Sequence, residues 1–150
     1  MKNFTNYTPD FVLLLESGFI AVNQADEDSA LKLFRASQVL NPNNVLPKVG
    51  FGYLHLHKLE LKQACTSFEE VLAQDPHNEM AKTFLGICMS MQPTTTTKGE
   101  KILEQTHKSK DPMIKKLSDT ALDFVERFIK KSPGPAATQQ QPHKKGKRAS

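Results

Sequence analysis

The chain contains no tryptophan, two tyrosines and only two cysteines in 150 residues. Cys65 and Cys88 are too few for a disulfide framework, and no CxxC pair is present to open a zinc site. Sparse, unpaired cysteines suit a reducing compartment, so a cytoplasmic protein is expected. Long apolar runs are missing too. Phe11–Leu15 is too short for a membrane span, lacks a cationic start and a cleavage signal, and is followed at once by Glu16, so neither a signal peptide nor a span is expected.

Chemical constellations are equally scarce. No glycine-rich phosphate loop, no paired carboxylates and no nucleophile beside a base can be picked out. His55 and His57 are two residues apart, so on a helix they face different directions and make a poor metal pair. Neither catalytic residues, a metal site nor a cofactor is expected, and a binding module is favoured over an enzyme.

The net charge of +4 is not spread over the chain. Residues 132–150 carry Lys144, Lys145, Lys147 and Arg148 and no acid, leaving the remaining 131 residues with 16 basic and 16 acidic groups. A body of zero net charge lacks the basic face that phosphate backbones require, so nucleic-acid binding by the folded part is not expected.

What is present is a period. In rows of 34 residues, Gly18, Gly52 and Gly86 fall in one column, Ala30 and Ala64 in a second, Phe34 and Phe68 in a third, and Pro42 and Pro76 in a fourth. A glycine inside a helix costs about 1 kcal/mol against alanine, so its recurrence at one phase implies a neighbouring helix passing too close for a side chain. The phenylalanines then fill the space between helices, and Asn41-Pro42 and Asp75-Pro76 separate the units. In unit three the alanine and phenylalanine columns fall on Lys98 and Ile102, which marks that unit as degenerate.

Local signals set helix limits. Thr8-Pro9-Asp10 opens a helix to about Asn23, and Asp26-Glu27-Asp28 opens one to about Leu40. Unit two has helices over roughly 45–57 and 61–73, with Pro47 tolerated in a first turn, and unit three starts at Asn78. After Gln92-Pro93 and the run Thr94–Thr97, Thr97-Lys98-Gly99-Glu100 reads as a capping box for a sixth helix to about His107. Asp111-Pro112 opens a seventh, on which Met113, Leu117, Ala121, Phe124 and Phe128 share a face expected to cap the stack.

This order of small, small, aromatic and proline residues resembles the tetratricopeptide repeat over about residues 9–107. The resemblance implies an all-α superhelix of about three helix-turn-helix units plus a capping helix over 9–131, between an N-terminal arm, 1–8, and a disordered basic tail, 132–150. It also implies a concave groove lined by the second, fifth, ninth and twelfth residues of each first helix. Those are Val12, Leu15, Phe19 and Val22, then Leu46, Val49, Tyr53 and Leu56, then Met80, Thr83, Ile87 and Ser90. Relatives that grip acidic C-termini place lysine, asparagine and arginine there. This set is almost entirely apolar, and so suits the apolar face of an amphipathic helix.

Ser109-Lys110-Asp111-Pro112-Met113-Ile114, leading into the last helix, resembles the small cytoplasmic chaperones of type III secretion, most of all those of the needle subunit. The resemblance implies a secreted needle-type subunit as partner, held by its amphipathic helix, and a second small helical co-chaperone beside it. A chaperone of larger translocator proteins and a general adaptor with a basic tail are the alternatives.

Overall fold

The computed structural model describes residues 8–131, and expectations for residues 1–7 and 132–150 lie outside them. The described residues are all-helical: α1 (Thr8–Asn23), α2 (Glu27–Leu40), α3 (Leu46–His57), α4 (Leu61–Gln74), α5 (Glu79–Ser90), α6 (Thr96–Thr106) and α7 (Pro112–Phe124), the last running on as a π-helical segment, Val125–Lys130. Successive helices pair as hairpins. The glycine column explains how closely: a Cβ on Gly18 would lie 2.5 Å from the Phe34 ring, one on Gly52 2.6 Å from the Phe68 ring, and one on Gly86 2.9 Å from Leu103 Cγ. Phe34, Phe68 and Leu103 are fully buried, so each hairpin closes on one large side chain seated against a glycine.

The first two hairpins turn in the same way. Ala25 and Leu59, 34 residues apart, both adopt φ of 58°. Around each runs the same pair of bonds, Ala25 N–H to Val22 O with Asp26 N–H to Ala21 O, and Leu59 N–H to Leu56 O with Glu60 N–H to His55 O. This is the Schellman closure, which requires one left-handed residue. The next residue in the column is Pro93, whose ring holds φ near about −65° and cannot take that conformation.

The third turn is therefore longer, and α6 begins at Thr96. Two consequences correct the sequence-based expectations. The capping box does not form: Thr97 already lies inside the helix, while Thr95 Oγ1 donates to Met89 O at 2.8 Å and Thr96 Oγ1 to Gln92 O at 2.9 Å. The packing positions also move on by one residue, from Lys98 to Gly99 and from Ile102 to Leu103, so unit three keeps its small-then-large pair one step out of phase. Pro42 and Pro76 are exposed in the turns between hairpins, and Ala30 and Ala64 are fully buried.

A leucine in the left-handed region is strained by about 1–2 kcal/mol, part of which a glycine's greater unfolded-state freedom offsets. Leu59 is 72% exposed, so its side chain contributes little packing. Leu59→Gly is expected to raise stability by about 0.5–1 kcal/mol in urea unfolding, and Leu59→Ala, which keeps a Cβ, to give no such gain.

The seventh helix packs through a different stripe from the one expected. Ile114, Ser118 and Val125 are its buried residues, and Ser118 Oγ meets Thr106 Oγ1 of α6 at 2.7 Å. Met113, Phe124 and Phe128 are exposed at 69, 44 and 60%. Aligned from its cap Asp111 with α5 from its cap Asn78, helix α7 places Asp119 where α5 has Gly86, and Asp123 where α5 has Ser90.

Candidate partner-binding groove

The exposed stripe of α7 faces back across the row of first helices. Between them lies a cleft of about 530 Å³ lined by Phe19 and Asn23 of α1, Tyr53 of α3, Met80 and Phe84 of α5, and Met113, Lys116, Leu117 and Thr120 of α7. A second hollow of about 230 Å³ continues it, lined by Ile87, Ser90 and Met91 of α5 and by Leu117, Thr120, Ala121 and Phe124 of α7. Leu117 and Thr120 belong to both, so the two form one trough along α7.

An aromatic row supports its floor. Phe51, Phe34, Phe19, Tyr53, Phe84 and Phe68 touch in that order, with ring centroids between 5.3 and 5.6 Å apart in edge or tilted contacts. Such pairs add about 0.5–1.5 kcal/mol each beyond area burial, which makes the floor stiff. Tyr53 is fixed further: its hydroxyl donates to Asn23 Oδ1 at 2.7 Å, and its ring stands edge-on to His57 at 4.5 Å. Burial pushes the Tyr53 hydroxyl above the usual phenol range, so it is a neutral donor at physiological pH.

The expected groove residues divide by helical phase. Phe19, Tyr53 and Met80 line the larger cleft, Ile87 lines the smaller, and Val12 is 41% exposed. Leu15, Val22, Val49 and Thr83 are buried at 8% exposure or less, and correct the expectation that they face a partner. Leu46 and Leu56 are half-buried against the core that also holds Val49 and Phe68. At about 100° per residue, steps of three then four tilt the stripe into the core, whereas the trough follows 80, 84, 87 and 91 on α5, steps of four, three and four.

The same spacing recurs on α7 as 113, 117, 120 and 124, counted from Asp111 as the α5 set is from Asn78. The helical spacing in the sequence predicts Met113, Leu117 and Phe124 on the capping face. The signal that could have placed them in the trough is this match between two asparagine- or aspartate-capped helices, Met80 with Met113 and Phe84 with Leu117.

The titratable groups at the helix junctions serve the scaffold. His107 hydrogen-bonds Asp119 between α6 and α7 and holds that carboxyl below the usual range, and His55 with Lys58 does the same for Glu60 in the second turn. Cys88 is fully buried beside Cys65, and burial pushes its thiol up to about 12, which leaves it protonated and inert. Gln92 Nε2 donates to Cys65 Sγ at 3.3 Å and to Cys88 O at 3.2 Å, tying the end of α5 to α4.

No described helix is long and apolar enough to cross a membrane, and no cluster of three or more His, Cys, Asp or Glu is gathered as a metal site among the described residues. Comparisons of the chain with protein-family models, with curated proteins and with solved structures find no match.

Proposed function

We propose that this chain is a tetratricopeptide-type binding protein that holds an amphipathic helix in the α5–α7 trough, and that it serves as a small cytoplasmic type III secretion chaperone with a needle-type subunit as cargo. The observation that carries the proposal is the continuity of the two hollows, an apolar channel open to solvent and floored by a stiff aromatic row. A large exposed apolar surface marks a place where something docks. Each leucine- or phenylalanine-sized anchor buried there contributes about 1.5–3 kcal/mol, so two or three anchors suffice for a stable complex after ordering costs.

Holding works by occlusion. A subunit that polymerises through its own amphipathic helix cannot do so while that helix lies in the trough, and the chaperone performs no turnover. The second co-chaperone implied by the family resemblance belongs to the same proposal. The test is co-expression with a small helical secretion subunit: a soluble complex that survives gel filtration is expected. If the subunit precipitates or elutes alone, the proposal fails.

A second reading, a chaperone of larger translocators that acts as a dimer, is favoured by Leu13 and Ile20. These lie seven residues apart on α1 and are 62 and 55% exposed. Light scattering separates the two, since a free dimer supports the second reading and a free monomer the first.

A further inference from the structure

We infer that the helix accepted by the trough carries an acidic residue within one turn of its leading apolar anchor, and that Lys116 reads it. The inference rests on the trough being a helix acceptor and adds the charge and spacing of what it accepts. Among the residues lining the two hollows Lys116 is the one cation, and no carboxylate lines either. The other cations on α7 and its π-helical extension are engaged: Lys115 with Asp119 at 3.5 Å, Arg127 with Asp123 at 2.9 Å, and Lys130 with Glu100 at 2.7 Å. Lys116 is exposed, lines the larger cleft and makes no ion pair among the described residues. An apolar channel with one unanswered positive charge favours an apolar face flanked by one negative charge.

Spacing follows from the two hollows. They are displaced by about four residues along α7 and about seven along α5, or roughly 6 to 11 Å at the helical rise. An occupant helix running alongside therefore places anchors four and seven residues apart, the larger in the Tyr53 cleft and the smaller against Ile87. Met80, Met91 and Met113 line the channel, and their flexible thioethers adapt to leucine, isoleucine or phenylalanine alike. Apolar identity is thus read loosely, and the acid sets register.

The experiment uses the full chain and a synthetic amphipathic helical peptide with leucines at relative positions one, five and eight, in three versions with Glu, Gln or Lys beside the first leucine. Binding is followed by fluorescence polarisation at low and high salt. At low salt the Glu peptide is expected to bind about fivefold more tightly than the Lys peptide, with the gap closing at high salt. Lys116→Glu is expected to reverse the order, and Lys116→Gln to level it. Equal affinities for the three peptides, or an order that survives Lys116→Glu, overturn the inference while leaving the helix acceptor standing. No binding by any of them overturns both.

Discussion

Gly99→Ala is expected to destabilise the protein by about 3 kcal/mol, while Lys98→Ala, one residue earlier, is expected to stay within about 0.5 kcal/mol of wild type. A Cβ at residue 99 would lie 2.6 Å from the Gly86 carbonyl oxygen and 2.8 Å from Ser90 Cα. These are backbone atoms of the second half of α5, which cannot swing aside as a side chain can, so relief requires the α5–α6 hairpin to open there. Lys98 is exposed and loses only a solvated side chain. The same contrast holds one turn on: Leu103→Ala removes a fully buried side chain and is expected to cost about 2–5 kcal/mol, and Ile102→Ala, half-buried, distinctly less. Urea unfolding of the four variants followed by circular dichroism measures the differences. Larger losses at Lys98 and Ile102 would mean that unit three keeps the 34-residue phase and that the shifted packing is wrong.

Met113→Glu is expected to abolish cargo holding without loss of stability. Met113 is 69% exposed and sits on the cleft wall, so its removal costs the folded protein little, but a carboxylate there would be buried beneath a bound apolar face. The penalty of several kcal/mol corresponds to a drop in affinity of about a hundredfold or more. Val49→Glu makes the opposite case: Val49 has no exposure at all, so this change is expected to unfold the protein, and any lost binding would follow from that. Tyr53→Glu lies between, since Tyr53 faces the cleft and also stacks with Phe19 and Phe84. Pull-down of a co-expressed cargo, paired with thermal melts of each variant, separates the three. A Met113→Glu protein that melts normally and still retains cargo would remove the trough from the proposal.

Much of the helical layout was legible in advance because its signals are local. Asp26 accepts from Ser29 N–H at 3.1 Å, Asn78 from Ala81 N–H at 2.9 Å and Asp111 from Met113 N–H at 2.9 Å, so these three signals start the helices they precede, whereas the box at Thr97 does not. The glycine and phenylalanine columns likewise meet in space. The third unit was misplaced for a reason that also lies in the sequence, once the turn type is known: Pro93 stands where Ala25 and Leu59 turn left-handed. Period alone does not reveal that a column carries a backbone conformation.

Most helix limits, the 34-residue phase of the first two units and the neutral body were thus determined by the amino-acid sequence itself, because caps, prolines and close glycine contacts act within a few residues or between consecutive helices. Which of two apolar stripes on a helix faces the core was decided only by the tertiary structure. On α5 the fully buried Ala81 and the half-buried, cleft-lining Met80 are neighbours, and on α7 the packed Ile114 and the exposed Met113 are neighbours. A difference of about 100° in direction separates a core residue from a groove residue, and hydrophobicity carries no direction. Only the positions of the flanking helices supply it.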